Sequence, residues 1–334
     1  MSEPWPRAIA AGWHAVATEA ELIGRRPLKR QVMGMPLVVF NGTGGPVVLA
    51  DRCPHRGVRL SGGRLRGGVL ECPYHGWQFG SGGKCVAVPG TTAVPKVSAG
   101  SYPTIRRAGL VWTSLAADPA AFPDLPPEME DATLDHFWWA VAPSEARVLD
   151  AVENLLDPAH PHLLHPWMVR SPHKRRKVQV RVRLHGKGAE AIYGEEAVAS
   201  AWMPRLLEGH RARSIGRYFA PNIGQVAFEN DTGLSVAISV VFTPEDHDRT
   251  RPFAHFATPR GRVPALLKRL VLKAFHVPVL RQDQAMLADQ ARNIRRFGKP
   301  EFALGPMDFL GPAIWRLANG QPQPEEERMA EVYL

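Results

Sequence analysis

The first third of the chain alternates short apolar runs with glycine-rich turns. Residues 37–40 and 47–49 are apolar, and three of the six residues between these runs are glycines. A turn of this composition between two short apolar runs predicts a β-hairpin. Further glycine pairs, at residues 62–63, 67–68 and 82–83, separate the following runs in the same way. The pattern predicts a small antiparallel β domain.

The rest of the chain combines strand and helix patterns. Residues 178–184 and 234–240 alternate between apolar and polar or small side chains, which predicts two strands with one buried face each. We expect helices around residues 145–166, 264–275 and 279–297, and in the last of these apolar residues recur at three-and-four spacing. The expected fold class is α+β. We expect an all-β domain over residues 1–125, and a domain over residues 126–334 in which helices flank an antiparallel sheet.

Length, charge and cysteine content narrow the function classes. A chain of 334 residues fits two domains. The net charge of +9 favours an acidic partner, but the basic residues are spread along the chain and lack the spacing of nucleic-acid-binding motifs. The sequence has no secretory signal pattern and no apolar run of about 18 residues, so we expect a cytoplasmic protein. Three cysteines are too few for a disulfide framework and suggest thiolate ligands.

Two cysteine–histidine pairs form the first group of candidate ligands. Cys53 and His55 make a Cys-x-His pair, and Cys72 and His75 make a Cys-x-x-His pair. A Rieske [2Fe-2S] cluster needs two thiolates on one iron and two imidazoles on the other, supplied by two loops. A structural zinc site is the alternative, although zinc sites usually place like ligands together. We expect Cys85 to be a small buried side chain and not a ligand.

With these motifs, residues 35–89 resemble the Rieske domain of the Rieske non-haem iron oxygenases, the ring-hydroxylating and demethylating enzymes. Respiratory Rieske carriers have an extra disulfide where this chain has Val58 and Tyr74. They have hydroxyl donors to the cluster sulfurs where it has Trp77 and Phe79. Fewer such hydrogen bonds predict a potential toward the low end of the range of roughly −150 to +300 mV. A potentiometric titration well above zero would contradict this expectation.

The second group of candidate ligands lies in residues 153–165. His160 and His165, with one carboxylate, could hold one face of a mononuclear Fe(II), as in the facial triad of non-haem oxygenases. In a straight helix these two histidines would point about 140° apart, so we expect Pro161 either to kink the helix or to mark a helix start. His162 points about 200° from His160 on the same geometry and is expected not to be a ligand.

The resemblance implies the third ligand. The family carries an aspartate in a late helix at the position of Asp283, although it often has glutamate where this chain has Gln282. Asp283 also falls on the apolar stripe with Leu280 and Leu287, where a carboxylate needs a compensating partner such as a cation. Asp289 lies on the opposite helix face and is expected to be solvated.

The resemblance also assigns roles to two residues near the histidines. Asp157 would accept hydrogen bonds from His160 of its own subunit and from the cluster ligand His75 of a neighbour in a homotrimer. The alternative for Asp157 is a helix cap before Pro158. Asn154 would line the iron pocket, or else be a satisfied helix amide.

The implied function is that of a terminal oxygenase with a Rieske cluster and a mononuclear Fe(II), its catalytic domain of the helix-grip (START-like) type. It would use O2 to hydroxylate or oxidatively demethylate a hydrophobic aromatic or polycyclic substrate. Since the chain has no Gly-x-Gly-x-x-Gly fingerprint, electrons would come from a separate NAD(P)H-dependent reductase or a ferredoxin. The basic residues 174–177 would steer an acidic donor, or else form a solvated loop.

Three alternatives stay open: a ring-dihydroxylating dioxygenase, a Rieske electron carrier without oxygenase chemistry, and a zinc-stabilised nucleic-acid-binding protein. Aromatic residues of strands between 178 and 256 are available as pocket walls or as plain core. These are Tyr193, Phe219, Phe242, Phe253 and Phe256.

Overall fold

The computed structural model describes residues 4–24, 26–166, 168–169, 175–194 and 211–334. The chain divides into two compact units. The N-terminal unit comprises Ala10–Phe122 and Thr243–His247, and the C-terminal unit comprises Met1–Ile9, Pro123–Phe242 and Asp248–Leu334. The domain boundary expected after residue 125 stays a prediction. Lys174 of the basic run lies outside the described residues.

Three small sheets make up the described part of the N-terminal unit, with strand orders β1-β11-β10, β2-β3-β4-β9 and β5-β6-β7-β8. The bounds are β1 His14–Thr18, β2 Leu28–Val32, β3 Met35–Gly42, β4 Gly45–Ala50, β5 Arg64–Arg66, β6 Val69–Glu71, β7 Gln78–Phe79, β8 Cys85–Ala87, β9 Ser101–Tyr102, β10 Thr104–Arg107 and β11 Leu110–Thr113. A short helix, α1, spans Arg7–Ala11. The predicted hairpin is confirmed, since β3 pairs with β4 in a register that sets Phe40 opposite Val47.

One hydrophobic core of this unit lies beneath the loops that carry the candidate cluster ligands. Phe40, Leu60 and Phe79 are fully buried in it, and Cys53 and Cys72 belong to the same group of packed side chains. Burial of large apolar side chains is the main stabilising contribution in such a core. Packing against this core therefore fixes the positions of the two cysteines.

A nine-stranded sheet forms the centre of the C-terminal unit in its described part. The order is β12-β19-β18-β17-β16-β15-β14-β20, and β13 pairs with β19. The strands are β12 Leu134–Ala140, β13 Ser144–Glu145, β14 Lys177–His185, β15 Gly188–Gly194, β16 Arg211–Phe219, β17 Ile223–Asn230, β18 Gly233–Asp246, β19 Arg249–Pro259 and β20 Glu326–Tyr333. The helices are α2 Val148–Leu156, α3 Pro161–Leu164, α4 Ala265–Phe297 and α5 Gly311–Ala318.

The two predicted strands differ in their burial. In β14, Val178, Val180 and Val182 are buried between exposed neighbours, so the expectation of one buried face is confirmed. In β18 that expectation is wrong, because consecutive residues from Ser239 to Phe242 are all buried. The strand lies in the middle of the sheet and is covered on both faces at this point. Alternating residues mark a strand, but they do not tell how far its second face is covered.

The helices also depart from the sequence pattern. The helix expected over residues 145–166 is two helices, α2 and α3, with residues 157–160 between them. Conversely, α4 runs without interruption through Pro278 and ends at Phe297, and the φ of 86° at the following Gly298 suits the residue after a helix C-terminus. Gly224 of β17 permits close packing of α2, since a Cβ there would lie 2.9 Å from Leu155 Cδ2. None of the helices in the described part of the chain combines the length and apolar character of a membrane span.

Candidate metal centres

The loops that follow Cys53 and Cys72 are closed by the same pair of backbone hydrogen bonds. In each loop the cysteine N–H donates to the carbonyl oxygen five residues later, at 2.8 Å. The glycine four residues after each cysteine donates back to the cysteine carbonyl, Gly57 at 2.8 Å and Gly76 at 3.2 Å. Both glycines have positive φ, 73° and 68°, which other residues rarely adopt. The sequence thus builds two similar loops, each presenting one thiol and one imidazole.

The imidazoles of the two loops lie next to each other, with the edge of one ring toward the other. The ring centroids of His55 and His75 are 4.8 Å apart. Trp77 stacks on His55 at 4.4 Å, and the Tyr74 ring lies 3.7 Å from that of His75. Tyr74 is 61% exposed, so the His75 side of the pair lies beside the surface of the unit. A surface position suits a residue through which electrons enter or leave.

The protonation chemistry of this group suits a cation. Burial, and after it the neighbouring Cys72 thiol, raises the pKa of Cys53. A buried thiol with a raised pKa, such as that of Cys53, becomes a thiolate only beside positive charge, and no disulfide joins Cys53 to Cys72. Partial desolvation and the nearby His75 lower the pKa of His55, which favours the neutral imidazole that a metal needs. The four residues therefore fit a Rieske cluster, and its low potential stays a prediction.

Cys85 belongs to the same core as Cys53 and Cys72. It is buried, and burial raises the pKa of its thiol. Its expected role as a small buried side chain agrees with this position, and its exclusion from the ligands stays a prediction.

Three side chains converge in the C-terminal unit. Asp283 Oδ1 lies 3.0 Å from His165 Nε2 and 3.5 Å from His160 Nε2. One potential ligand atom from each residue lies within 4.8 Å of the others. Two imidazoles and one carboxylate at this spacing fit one face of a single ion and leave its other positions open. Burial alone would lower the pKa of His165, but its hydrogen bond to Asp283 and the charge of Asp283 raise that pKa above its usual value. The positive charge that Asp283 favours on the ring is one that a bound cation could supply instead.

A short helix sets the spacing of the two histidines. His160 is the residue before α3, His165 follows its last residue, and Pro161 is its first residue. The expected kink at Pro161 is therefore wrong, and the helix-start alternative holds. Because both histidines flank the helix, the 140° separation of a straight helix does not apply. His162 is buried outside the group of three.

Gln282 orients His165, a role that the sequence did not reveal. The His165 ring is buried and its Nδ1 lies 2.8 Å from Gln282 Oε1. Because Oε1 is an acceptor, Nδ1 carries a hydrogen, which leaves Nε2, the nitrogen beside Asp283, as the one that would bind a metal. Such a partner fixes the tautomer and ring orientation of a metal-binding histidine. The available signal was the polar residue directly before Asp283.

Asp157 lies between α2 and α3 and is not the N-cap of a helix at Pro158, because α3 starts later. Its Oδ1 accepts a hydrogen bond from the Ala159 N–H at 2.7 Å, and its Oδ2 lies 3.5 Å from His160 Nδ1. Burial would raise the pKa of Asp157, but the neighbouring His160 ring and the Ala159 amide lower it. The ionised carboxylate is thus placed to orient His160.

A cavity of about 230 Å³ opens beside the three converging residues. Of the five aromatic residues considered as walls, Tyr193, Phe242 and Phe256 line it, and Phe219 and Phe253 do not. Asn154 and Asp157 line it too, on the side of α2. The wall is mostly apolar, which is typical of a site for a small hydrophobic ligand.

A second cavity adjoins the same residues and contains acidic groups of α2. Asn154, Asp157 and His160 line it together with Asp150 and Glu153. Burial raises the pKa of Glu153 to about 7, with the Asp150 charge as the next cause. Burial likewise raises the pKa of Asp150 to about 6.

Comparison with known proteins agrees with the two centres. Residues 12–98 match the model of the Rieske [2Fe-2S] domain. Residues 144–307 match that of the vanillate O-demethylase oxygenase C-terminal domain. The fold and the two centres define a Rieske-type iron protein with a second, mononuclear metal site. The chain belongs to the Rieske non-haem iron oxygenase family.

Individual relatives differ in how much they share. The chloroacetanilide N-alkylformylase oxygenase component of Rhizorhabdus wittichii is 37% identical over 46% of this chain and 45% of its own length. The aligned segments of the first curated relatives span about half of their length. The 4beta-methylsterol monooxygenase of Methylococcus capsulatus is 26% identical over 88% of this chain and 84% of its length. Dicamba monooxygenase bound to dicamba shares the fold, with a TM-score of 0.79, 21% identity and coverage of 93% and 97%.

Proposed function

We propose that the chain is a terminal oxygenase that hydroxylates or oxidatively demethylates a hydrophobic aromatic or polycyclic compound. Cys53 and Cys72 would hold one iron of the cluster, and His55 and His75 the other. His160, His165 and Asp283 would hold the mononuclear Fe(II). When bound, these groups supply electrons and activate O2. One oxygen atom enters a C–H bond of the substrate and the other leaves as water, with two electrons from a reductase and two protons.

The convergence of His160, His165 and Asp283 at an apolar cavity carries this proposal. The three ligand atoms lie within 4.8 Å and border the cavity wall that includes Tyr193 and Phe256. An apolar wall excludes water and positions a hydrophobic substrate beside the metal position. A protein that only carries electrons does not need an apolar cavity beside a second metal site.

The other residues of the site orient and connect the ligands. Gln282 holds the Nδ1 hydrogen of His165, and Asp157 lies beside Nδ1 of His160. In a homotrimer, Asp157 would also accept a hydrogen bond from His75 of the partner subunit and so join the two centres. Asn154 would line the metal pocket.

The relatives support the substrate class and the need for a partner. Their names place a chloroacetanilide, a methylsterol and dicamba among the compounds on which they act, and one is named an oxygenase component. A separate NAD(P)H-dependent reductase or a ferredoxin would therefore supply electrons to this chain.

Iron counting with matched variants tests the proposal. Three irons per chain are expected after anaerobic reconstitution, against two for an electron carrier and none for a zinc protein. Asp283→Asn should lose the third iron and keep the spectrum of the reduced cluster. Asp289→Asn, on the exposed face of the same helix, should keep all three. Two irons in the wild type would refute the oxygenase. Incorporation of both O2 atoms into product would replace it by a dioxygenase.

A further inference from the structure

His276 is a polar residue in an apolar part of the cavity wall. It lies in α4, and its ring meets those of Phe256 and Phe275 edge-on, each at 4.8 Å between centroids. Its Nδ1 lies 2.8 Å from the carbonyl oxygen of Leu272, one helical turn earlier. Because a carbonyl only accepts, Nδ1 carries the hydrogen and Nε2 is left as an acceptor. Within the described residues, no group of the protein donates to Nε2.

From this geometry, and on the basis of the proposed function, we infer that His276 Nε2 is a specificity determinant that accepts a hydrogen bond from a neutral substrate carrying a hydroxyl or N–H group. An acceptor in an apolar wall favours a ligand that pairs with it, because leaving it unpaired next to an apolar ligand costs free energy.

The charges of the wall support a neutral substrate. Burial lowers the pKa of His276 to about 4, so its ring stays uncharged near neutral pH. No lysine or arginine of the described segments lines this cavity, whereas Asp157 and Asp283 do. The metal of the proposed function would offset the charge of Asp283, but at the His276 end of the cavity an anionic substrate group would find no lysine or arginine of the described residues to pair with.

The position of His276 also predicts the length of the substrate. His276 precedes Asp283 by seven residues in the same helix, and Val279 and Leu280 between them line the same cavity. Seven residues correspond to about 10 Å along a helix axis. The donor group and the carbon to be oxidised should therefore lie at opposite ends of a molecule about two rings long.

Three probes test the inference by equilibrium binding, without turnover. They are 4′-methoxybiphenyl-4-ol, which has the donor, 4-methoxybiphenyl, which lacks it, and 4′-methoxybiphenyl-4-carboxylate, which is charged. The wild-type protein should bind the phenol about three- to tenfold more tightly than 4-methoxybiphenyl, the ratio expected for one hydrogen bond. It should bind the carboxylate most weakly.

Two variants assign the preference to His276. His276→Leu should bind the phenol and 4-methoxybiphenyl equally, and His276→Gln, which keeps an acceptor, should retain part of the preference. Equal affinities in the wild type, a preference that survives in His276→Leu, tightest binding of the carboxylate, or no binding of any probe would each overturn the inference. A protein with three irons and no preference refutes this inference alone. A protein with two irons that keeps the preference refutes only the oxygenase function.

Discussion

Replacing Gln282 by leucine should weaken iron binding at the mononuclear site without touching a ligand. The His165 side chain is 1% exposed, and its Nδ1–H donates to Gln282 Oε1 at 2.8 Å. Leucine fills a similar volume but offers no acceptor. The buried N–H would then lose its partner, and the ring would lose the contact that aims Nε2 at the metal position.

The magnitude follows from the same contact. A buried donor without a partner costs about 1–3 kcal/mol. Loss of the partner of a metal-binding histidine typically lowers metal affinity about 10- to 100-fold. The two ranges agree, because each 1.4 kcal/mol corresponds to a factor of about ten in affinity. We therefore expect Gln282→Leu to bind Fe(II) about 10- to 100-fold more weakly than the wild type.

Anaerobic titration of Fe(II) against a chromophoric chelator measures this affinity, and the cluster absorbance reports that the N-terminal unit is intact. Gln282→Glu, which introduces the residue that the family often has, should keep the affinity because a carboxylate also accepts from Nδ1–H. Gln290→Leu, in the same helix, is the matched control. An unchanged affinity in Gln282→Leu, or an equal loss in Gln290→Leu, would refute the role given to Gln282.

Three further changes test other parts of the molecule. Asp157→Asn should keep both metals but sharply lower product formed per NAD(P)H consumed, because it removes the carboxylate proposed to join the centres. Gly63→Ala should destabilise the protein by about 1–3 kcal/mol and lower its cluster content, since a Cβ there would lie 2.0 Å from the Glu71 carbonyl oxygen. The pKa of Glu153 is raised from 4.5 to about 7, so the folded state binds its proton more tightly and stability should fall as pH rises through this interval. This fall in the free energy of unfolding amounts to at most about 3 kcal/mol. Urea unfolding at pH 5 and pH 8 measures it, and Glu153→Gln should not show it.

Each of these has a clear contrary result. Full coupled activity in Asp157→Asn would show that this carboxylate does not connect the two metal centres. Gly44→Ala is the control for Gly63→Ala, because a Cβ at Gly44 meets no atom within 4 Å. Equal cluster content in the two alanine variants would refute the steric argument. The same pH dependence in Glu153→Gln and the wild type would show that this carboxyl is not the cause.

The candidate ligands belong to short motifs that can be found in the sequence, whereas the elements that carry them depend on more than local pattern. Local patterns were enough for the hairpin at β3 and β4 and for the paired cysteine and histidine motifs, since these depend on residues close in the chain. A helix start at Pro161 was only one of two alternatives, and the continuity of α4 through Pro278 was not foreseen. Tertiary packing decides whether a proline starts, ends or merely interrupts the hydrogen bonds of a helix, and no local pattern contains that information.

The residues missed by the sequence act across long separations. Gln282 contacts His165 from 117 positions away. The role inferred for His276 depends on the aromatic rings around it, and one of these, Phe256, belongs to β19 and not to the helix of His276. A lone glutamine or histidine in a helix carries no signal of such neighbours. Asp283, in contrast, was expected both from the family's late helix and from its place on the apolar stripe of its own helix.

One helix, α4, contributes both to the metal position and to the wall of the substrate cavity. α4 supplies the candidate ligand Asp283, its neighbour Gln282 that orients His165, and His276 two turns earlier in the cavity wall. Leu287 and Ala291 bury the same helix in the unit, so its position is set by packing. Because a helix moves as a stiff body, a shift along its axis would displace the carboxylate, the histidine orientation and the substrate acceptor together. The distance between the metal position and the acceptor is then held at about seven residues of helix rise. Selectivity for where a substrate is oxidised can thus follow from the helix itself.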